Sequence, residues 1–148
     1  LEDYLKKLVF NLGLEDNVDF INNYLLDNPR EYVINIMKNA DIFILPGDIS
    51  KDDYGGTPLV LMEAGAMNLP CITTNNAGNN EVVLDRKTGF VLPNQNIKKI
   101  AETIDYLIEN HKERIQLGKN ARKYIKKNFN INDQILELIS IYEKYINS

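Results

Sequence analysis

Between residues 42 and 92 short apolar runs alternate with stretches of helical pattern, and this alternation restricts the fold more than any other feature of the chain. The runs at 42–45 and 89–92 are rich in Ile, Val, Phe and Leu, 71–74 is Cys-Ile-Thr-Thr, and all three read as strands; 58–67 and 79–84 between them read as helices. Strand, helix, strand in succession predicts right-handed crossovers and a parallel sheet, so the expected fold class is α/β, a Rossmann-like sheet with flanking helices. Ligands of such sheets bind outside the carboxyl ends of the strands. The polar loop 46–57 leaves one of those ends, which makes it the first place to look for a site.

That loop closes in Tyr54-Gly55-Gly56-Thr57-Pro58-Leu59-Val60-Leu61-Met62-Glu63-Ala64. Thr57 is a favoured helix N-cap, and Pro58 suits the first helical position because its missing N–H would have no partner there. The N–H groups of Leu59 and Val60 then point out of the helix end, where the macrodipole favours an anion such as a diphosphate. Glu63 lies about a turn and a half further on, within reach of a ligand held at that end. Amides for phosphate and a carboxylate for ribose hydroxyls would suit a nucleotide. Taken alone, the same residues are equally consistent with an ordinary helix start and an exposed carboxylate.

The rest of the chain adds limits. Residues 1–12 carry a helical apolar stripe that stops at Gly13, residues 18–21 read as a short strand, and Asn28-Pro29 opens a helix through Met37. From Asn96, a plausible cap, the chain turns helical to its end, with helices expected to 108, over 112–128 and over 132–146. Its 148 residues suit one domain, 1–148, with 96–148 as a helical tail. The chain begins at Leu1, already inside a helical stripe, and reads as a piece of a longer protein. The formal charge of −4 argues against a nucleic-acid binder. A single cysteine excludes an internal disulfide framework and fits a reducing, cytoplasmic setting, and Cys71 inside a strand reads as a small buried residue. No apolar stretch approaches the roughly 20 residues that span a bilayer. Asp48, Asp52 and Asp53 lack metal-ligand spacing and a histidine partner, so no metal or other cofactor is expected. Glu81 reads as a carboxylate favouring a helix N-terminus, and His111, at a helix junction, receives no catalytic role. Nine basic residues face four acidic ones between Lys98 and Lys127. Lys119, Arg122, Lys123, Lys126 and Lys127 there make either a solvated helix face or a peripheral contact with anionic lipid at the inner membrane face.

Four segments, in order, resemble the retaining, GT-B-fold glycosyltransferases of family 4. They are Ala40-Asp41-Ile42-Phe43-Ile44-Leu45-Pro46-Gly47, the Gly56 to Ala64 segment, Leu69-Pro70-Cys71-Ile72-Thr73-Thr74 with Gly78 and Glu81-Val82-Val83, and Thr88-Gly89-Phe90-Val91-Leu92-Pro93. The resemblance implies the carboxy-terminal, donor-binding half of a GT-B enzyme without its first strands, so that the sheet is left with a gap or an exposed edge. It implies transfer of a hexose from a UDP- or GDP-linked donor, with retention and without a metal, in polysaccharide or glycoconjugate synthesis. The implied donor contacts are Gly55, Gly56, Thr57, Pro58, Leu59, Val60 and Glu63, with Asn22 and Tyr24 near the base. The family's catalytic Arg and Lys, and the amino-terminal domain that holds a glycan or lipid-linked acceptor, match nothing in these residues, so the chain alone is expected to be inactive. One departure stands out: the first of two carboxylates in the family pattern falls on Gly55, with Asp52 and Asp53 close enough in the loop to substitute. A non-catalytic remnant or interaction module, and another GT-B enzyme such as a sugar-nucleotide epimerase, remain as alternative readings.

Overall fold

Three parallel strands, β1 (Phe43–Leu45), β2 (Cys71–Thr74) and β3 (Gly89–Leu92), lie side by side in that order, as the alternation predicts. Phe43 pairs with Cys71 and Leu45 with Thr73; Cys71 in turn pairs with Gly89 and Thr74 with Leu92. All four residues of β2 are buried, because the strand has a neighbour on either side and helices over its faces. Among the described residues β1 has one neighbour only and is an edge, with Ile44 38% exposed. The outer edge of β3 is blunted by the turn before it: the Arg86 N–H donates to the Gly89 carbonyl (2.8 Å) and the Val91 N–H to Asp85 Oδ1 (3.0 Å).

The computed structural model describes residues 1–22, 25–47, 56–76 and 78–146. Two units emerge, Leu1–Asn35 and Ile36–Ser148. The first holds α1 (Glu2–Asn11) and the start of α2 (Pro29–Asn39). Gly13 ends α1 in the left-handed conformation, at φ +64°, and Asn28 caps α2 by accepting from the Glu31 N–H while its amide donates to the Glu31 carboxylate. Residues 18–21, expected as a strand, are not one. A strand needs a ladder partner for its N–H and C=O groups, and among the described residues this segment has none; Val18 and Ile21 remain 37% and 45% exposed.

The second unit holds the sheet with α3 (Leu59–Ala66), α4 (Asn79–Val82), α5 (Ile97–Glu109), α6 (His111–Asn128) and α7 (Ile131–Ile146). Ile72, Phe90 and Leu92 of the sheet meet Leu107 of α5 and Leu117 of α6, with Ile42, Ile100 and Ile104 packed around them. Each such side chain stabilises the fold by about 1.5–3 kcal/mol through burial. Asn96 caps α5, accepting from the Lys99 N–H at 2.9 Å. At the corner between α5 and α6, Arg114 donates to the Leu107 carbonyl (3.0 Å) and to Asp41 (2.9 Å), tying the end of α5 to the segment that enters β1. α6 packs closely on the α3 region. A Cβ on Gly118 would lie 1.9 Å from the Asn68 carbonyl oxygen, and Gly65 leaves room for Ile125 and Ala121.

Candidate active site: the helix start beyond the sheet

α3 begins one residue later than the sequence suggests. Pro58 occupies the N-cap in an extended conformation (φ −70°, ψ 115°), and no side chain caps the helix. Thr57, expected as the cap, instead donates its hydroxyl to Glu81 Oε2 at 2.8 Å. With Pro58 at the N-cap, Thr57 stands one residue outside the capping position, and its hydroxyl proton goes to the Glu81 carboxylate. The first helical hydrogen bond runs from the Leu61 N–H to the Pro58 carbonyl, 3.2 Å. The Leu59 and Val60 amides precede it, and among the described residues no carbonyl accepts from them. Their exposed end of the helix therefore carries the positive pole that the sequence predicts.

Leu61, Ala64 and Gly65 form the buried face of α3, which sends the opposite face outward. Leu59, 72% exposed, and Glu63, exposed four residues later, share that outer face. Gly56 lies open, with nothing within 4 Å of where a Cβ would be. The structure thus brings Gly56, Thr57, Pro58, Leu59, Val60 and Glu63 together around one helix start. Gly55, Asp53, Asp52, Asp48 and Tyr24 lie outside the described residues. Asn22 is exposed and belongs to the first unit, its carbonyl accepting from the Leu25 N–H at 3.1 Å.

Sequence reasoning missed the scaffold behind this helix start. At the exit of β1 the Thr74 hydroxyl accepts from the Gly47 N–H (2.8 Å) and donates to the Gly47 carbonyl (2.9 Å), while the Thr73 hydroxyl donates to the Leu45 carbonyl (2.9 Å). The Asn76 amide nitrogen lies 2.0 Å from where a Gly47 Cβ would be, so a larger residue there would displace the Asn76 side chain, and Asn76 Oδ1 is buried without a partner among the described residues. Asn79, 3% exposed, donates to the Thr73 hydroxyl (2.8 Å) and the Thr74 carbonyl (2.9 Å). Glu81 was expected to act on its own helix; its carboxylate reaches Thr57 instead. The clue in the sequence was the pairing of Gly78 with a carboxylate three residues later in a loop opening on the same sheet edge.

Other groups are set aside by their surroundings. Cys71 is 2% exposed and burial pushes its thiol up to about 12, which leaves no thiolate at neutral pH to act as nucleophile. Among the described residues no three His, Cys, Asp or Glu side chains gather as a metal site, and no helix is long and apolar enough to cross a membrane. Clefts of about 570 and 370 Å³ flank β3 and share Asp85 and Pro93 in their walls. Neither is lined by a residue of α3, so they do not hold the helix amides or Glu63.

The sequence model of the family described as glycosyl transferases group 1 matches residues 1–124. The chain belongs to that family. The capsular polysaccharide biosynthesis glycosyltransferase CapM of Staphylococcus aureus is 31% identical over 140 residues, covering 88% of this chain and 34% of CapM. The chain spans about a third of the length of the curated relatives it matches. The carboxy-terminal domain of the group 1 glycosyltransferase LpcC of Francisella tularensis superposes with a TM-score of 0.76 at 21% identity, over 88% of this chain and 63% of that one. HepE of Anabaena, solved in complex with UDP, gives a TM-score of 0.75 at 24% identity, over 94% of this chain and 37% of HepE. The fold of this group 1 glycosyltransferase chain is the carboxy-terminal part of the GT-B architecture.

Proposed function

We propose that this group 1 glycosyltransferase chain binds the nucleotide-sugar donor, and that the complete enzyme transfers a hexose with retention of configuration in polysaccharide or glycoconjugate synthesis. One observation carries the reading. Beyond the carboxyl ends of parallel strands, α3 starts without a side-chain cap, so its Leu59 and Val60 amides are left for a diphosphate, with Glu63 exposed on the outer face for the ribose. The likeness to HepE with UDP supports the same class of ligand. The donor is UDP- or GDP-linked. Leaving-group charge is stabilised by amides and helix dipole, as in an oxyanion hole, and needs no metal. The enzyme works in the cytoplasm, and the exposed Lys119, Lys123, Lys126 and Lys127 of α6 suit contact with anionic lipid carrying the acceptor.

A second reading, a non-catalytic module on the same fold, is favoured by Gly55, which stands where the family pattern has its first carboxylate. Both are tested by ligand-observed NMR of the chain with UDP, GDP, ADP and their sugar conjugates, beside Glu63→Ala. One nucleotide is expected to bind, and about tenfold less tightly to the variant, the scale of one lost hydrogen bond to a charged group. If no nucleotide binds at millimolar concentration, or Glu63→Ala binds like wild type, the donor-site reading is wrong and the non-catalytic one takes its place.

A further inference from the structure

We propose that Glu81 is the positioning residue of the donor site: by holding Thr57 it sets the aim of the Leu59 and Val60 amides, and with it the affinity for diphosphate. The inference rests on the donor-site reading above. Helix starts are usually fixed by a local cap, and among the described residues α3 has none; Pro58 at the N-cap has no hydroxyl or carboxylate to offer. The restraint comes from 24 residues away, where Glu81 Oε2 accepts the Thr57 hydroxyl proton at 2.8 Å. A second contact beside it is steric. Gly78 has φ +80°, and a Cβ there would lie 2.8 Å from Thr57 Cα, 2.9 Å from Thr57 N and 3.1 Å from the Gly56 carbonyl carbon, so the two backbones touch.

The short helix α4 that carries Glu81 is itself fixed at both sides. Asn79 is bonded to Thr73 and Thr74 of the central strand, and the Tyr124 hydroxyl of α6 donates to the Glu81 carbonyl at 2.9 Å. A continuous brace therefore runs from β2 through Asn79 and Glu81 to Thr57 and the first turn of α3. The chemistry of Glu81 excludes a direct role on the anion, since a carboxylate repels phosphate. It acts through Thr57, and its charge strengthens the bond that holds the loop. Preorganised amides bind a diphosphate more tightly than amides that must first be ordered.

The test measures Kd for UDP and GDP on the 148-residue chain by 15N-resolved titration, following the Leu59 and Val60 amide signals. Glu81→Ala should weaken binding about tenfold, and Thr57→Val by as much, because either removes the same charge-assisted bond. The double variant should be no weaker than either single one, since the two residues act as a unit. Glu81→Gln keeps an acceptor oxygen and should restore affinity to within about threefold of wild type, a rescue that a general loss of stability would not give. The proposal is overturned if Glu63→Ala weakens binding while Glu81→Ala stays within about twofold of wild type. If the unaltered chain binds neither nucleotide, or Glu63→Ala has no effect, the donor-site reading has failed and this inference falls with it.

Discussion

α6 and α7 are successive helices of 18 and 16 residues, and only one of them is packed. α6 is studded with lysine, yet it buries Leu117, Gly118, Ala121 and Ile125 against α3 and the sheet. α7 carries a broad stripe of Ile, Leu and Tyr, from Ile131 through Leu138 to Ile146, and buries none of it. Apolar pattern says which face of a helix gains from burial; only a partner delivers it. A glycine on each side of the α3–α6 contact, Gly65 in α3 and Gly118 in α6, is the decisive difference. Gly118 and Gly65 let backbone and side chains approach to contact distance, so that a helix with few large apolar residues still gains close packing.

The contrast is broken most directly in the core. Leu107 of α5 is fully buried among Ile72, Phe90, Leu92 and Leu117. Leu107→Ala should cost about 2–5 kcal/mol, through lost transfer energy and the cavity left behind. Urea unfolding followed by circular dichroism measures it. A cost below 1 kcal/mol, on the order of a surface change, would mean that the α5–α6 side is no better packed than α7.

Arg114 sharpens the comparison at its hinge. Its side chain is 14% exposed and serves the Leu107 carbonyl as well as Asp41, whose own side chain is 74% exposed. Replacing it with Ala should cost about 1–3 kcal/mol, because the α5 carbonyl loses a charged donor. Asp41→Ala should cost no more than about 1 kcal/mol, since an exposed partner contributes little. Equal losses in the two variants, measured in the same unfolding assay, would show that the ion pair and not the carbonyl contact holds the corner.

The fold was legible because its signals are local. The strand patterns at 71–74 and 89–92 and the cap at Asn96 are read from residues a few positions apart, and the structure has them as Cys71–Thr74, Gly89–Leu92 and an Asn96 bond to Lys99. What the sequence hid depends on partners far along the chain. Residues 18–21 have strand composition and, among the described residues, no ladder to join; Thr57 has the chemistry of a cap, but the helix starts one residue later and Thr57 bonds a carboxylate 24 residues on. Of the site, the helix start and Glu63 were readable from type and spacing. The Gly47, Thr74 and Gly78 contacts were not, since close approach of two loops leaves no periodicity to read.

Leu138 in the middle of α7 gives the smallest expected effect and the most informative one. It is 50% exposed, and no residue of its helix is buried. Ala is at least as good a helix former, so helix propensity gives no penalty, and with no cavity to open Leu138→Ala should change stability by no more than about 0.5 kcal/mol either way. The same urea assay that reads Leu107→Ala reads this change, and the two should differ at least about fourfold. A loss above about 1 kcal/mol would mean that α7 is packed in solution against something, and that its apolar stripe, like the glycine face of α6, already has the partner its pattern calls for.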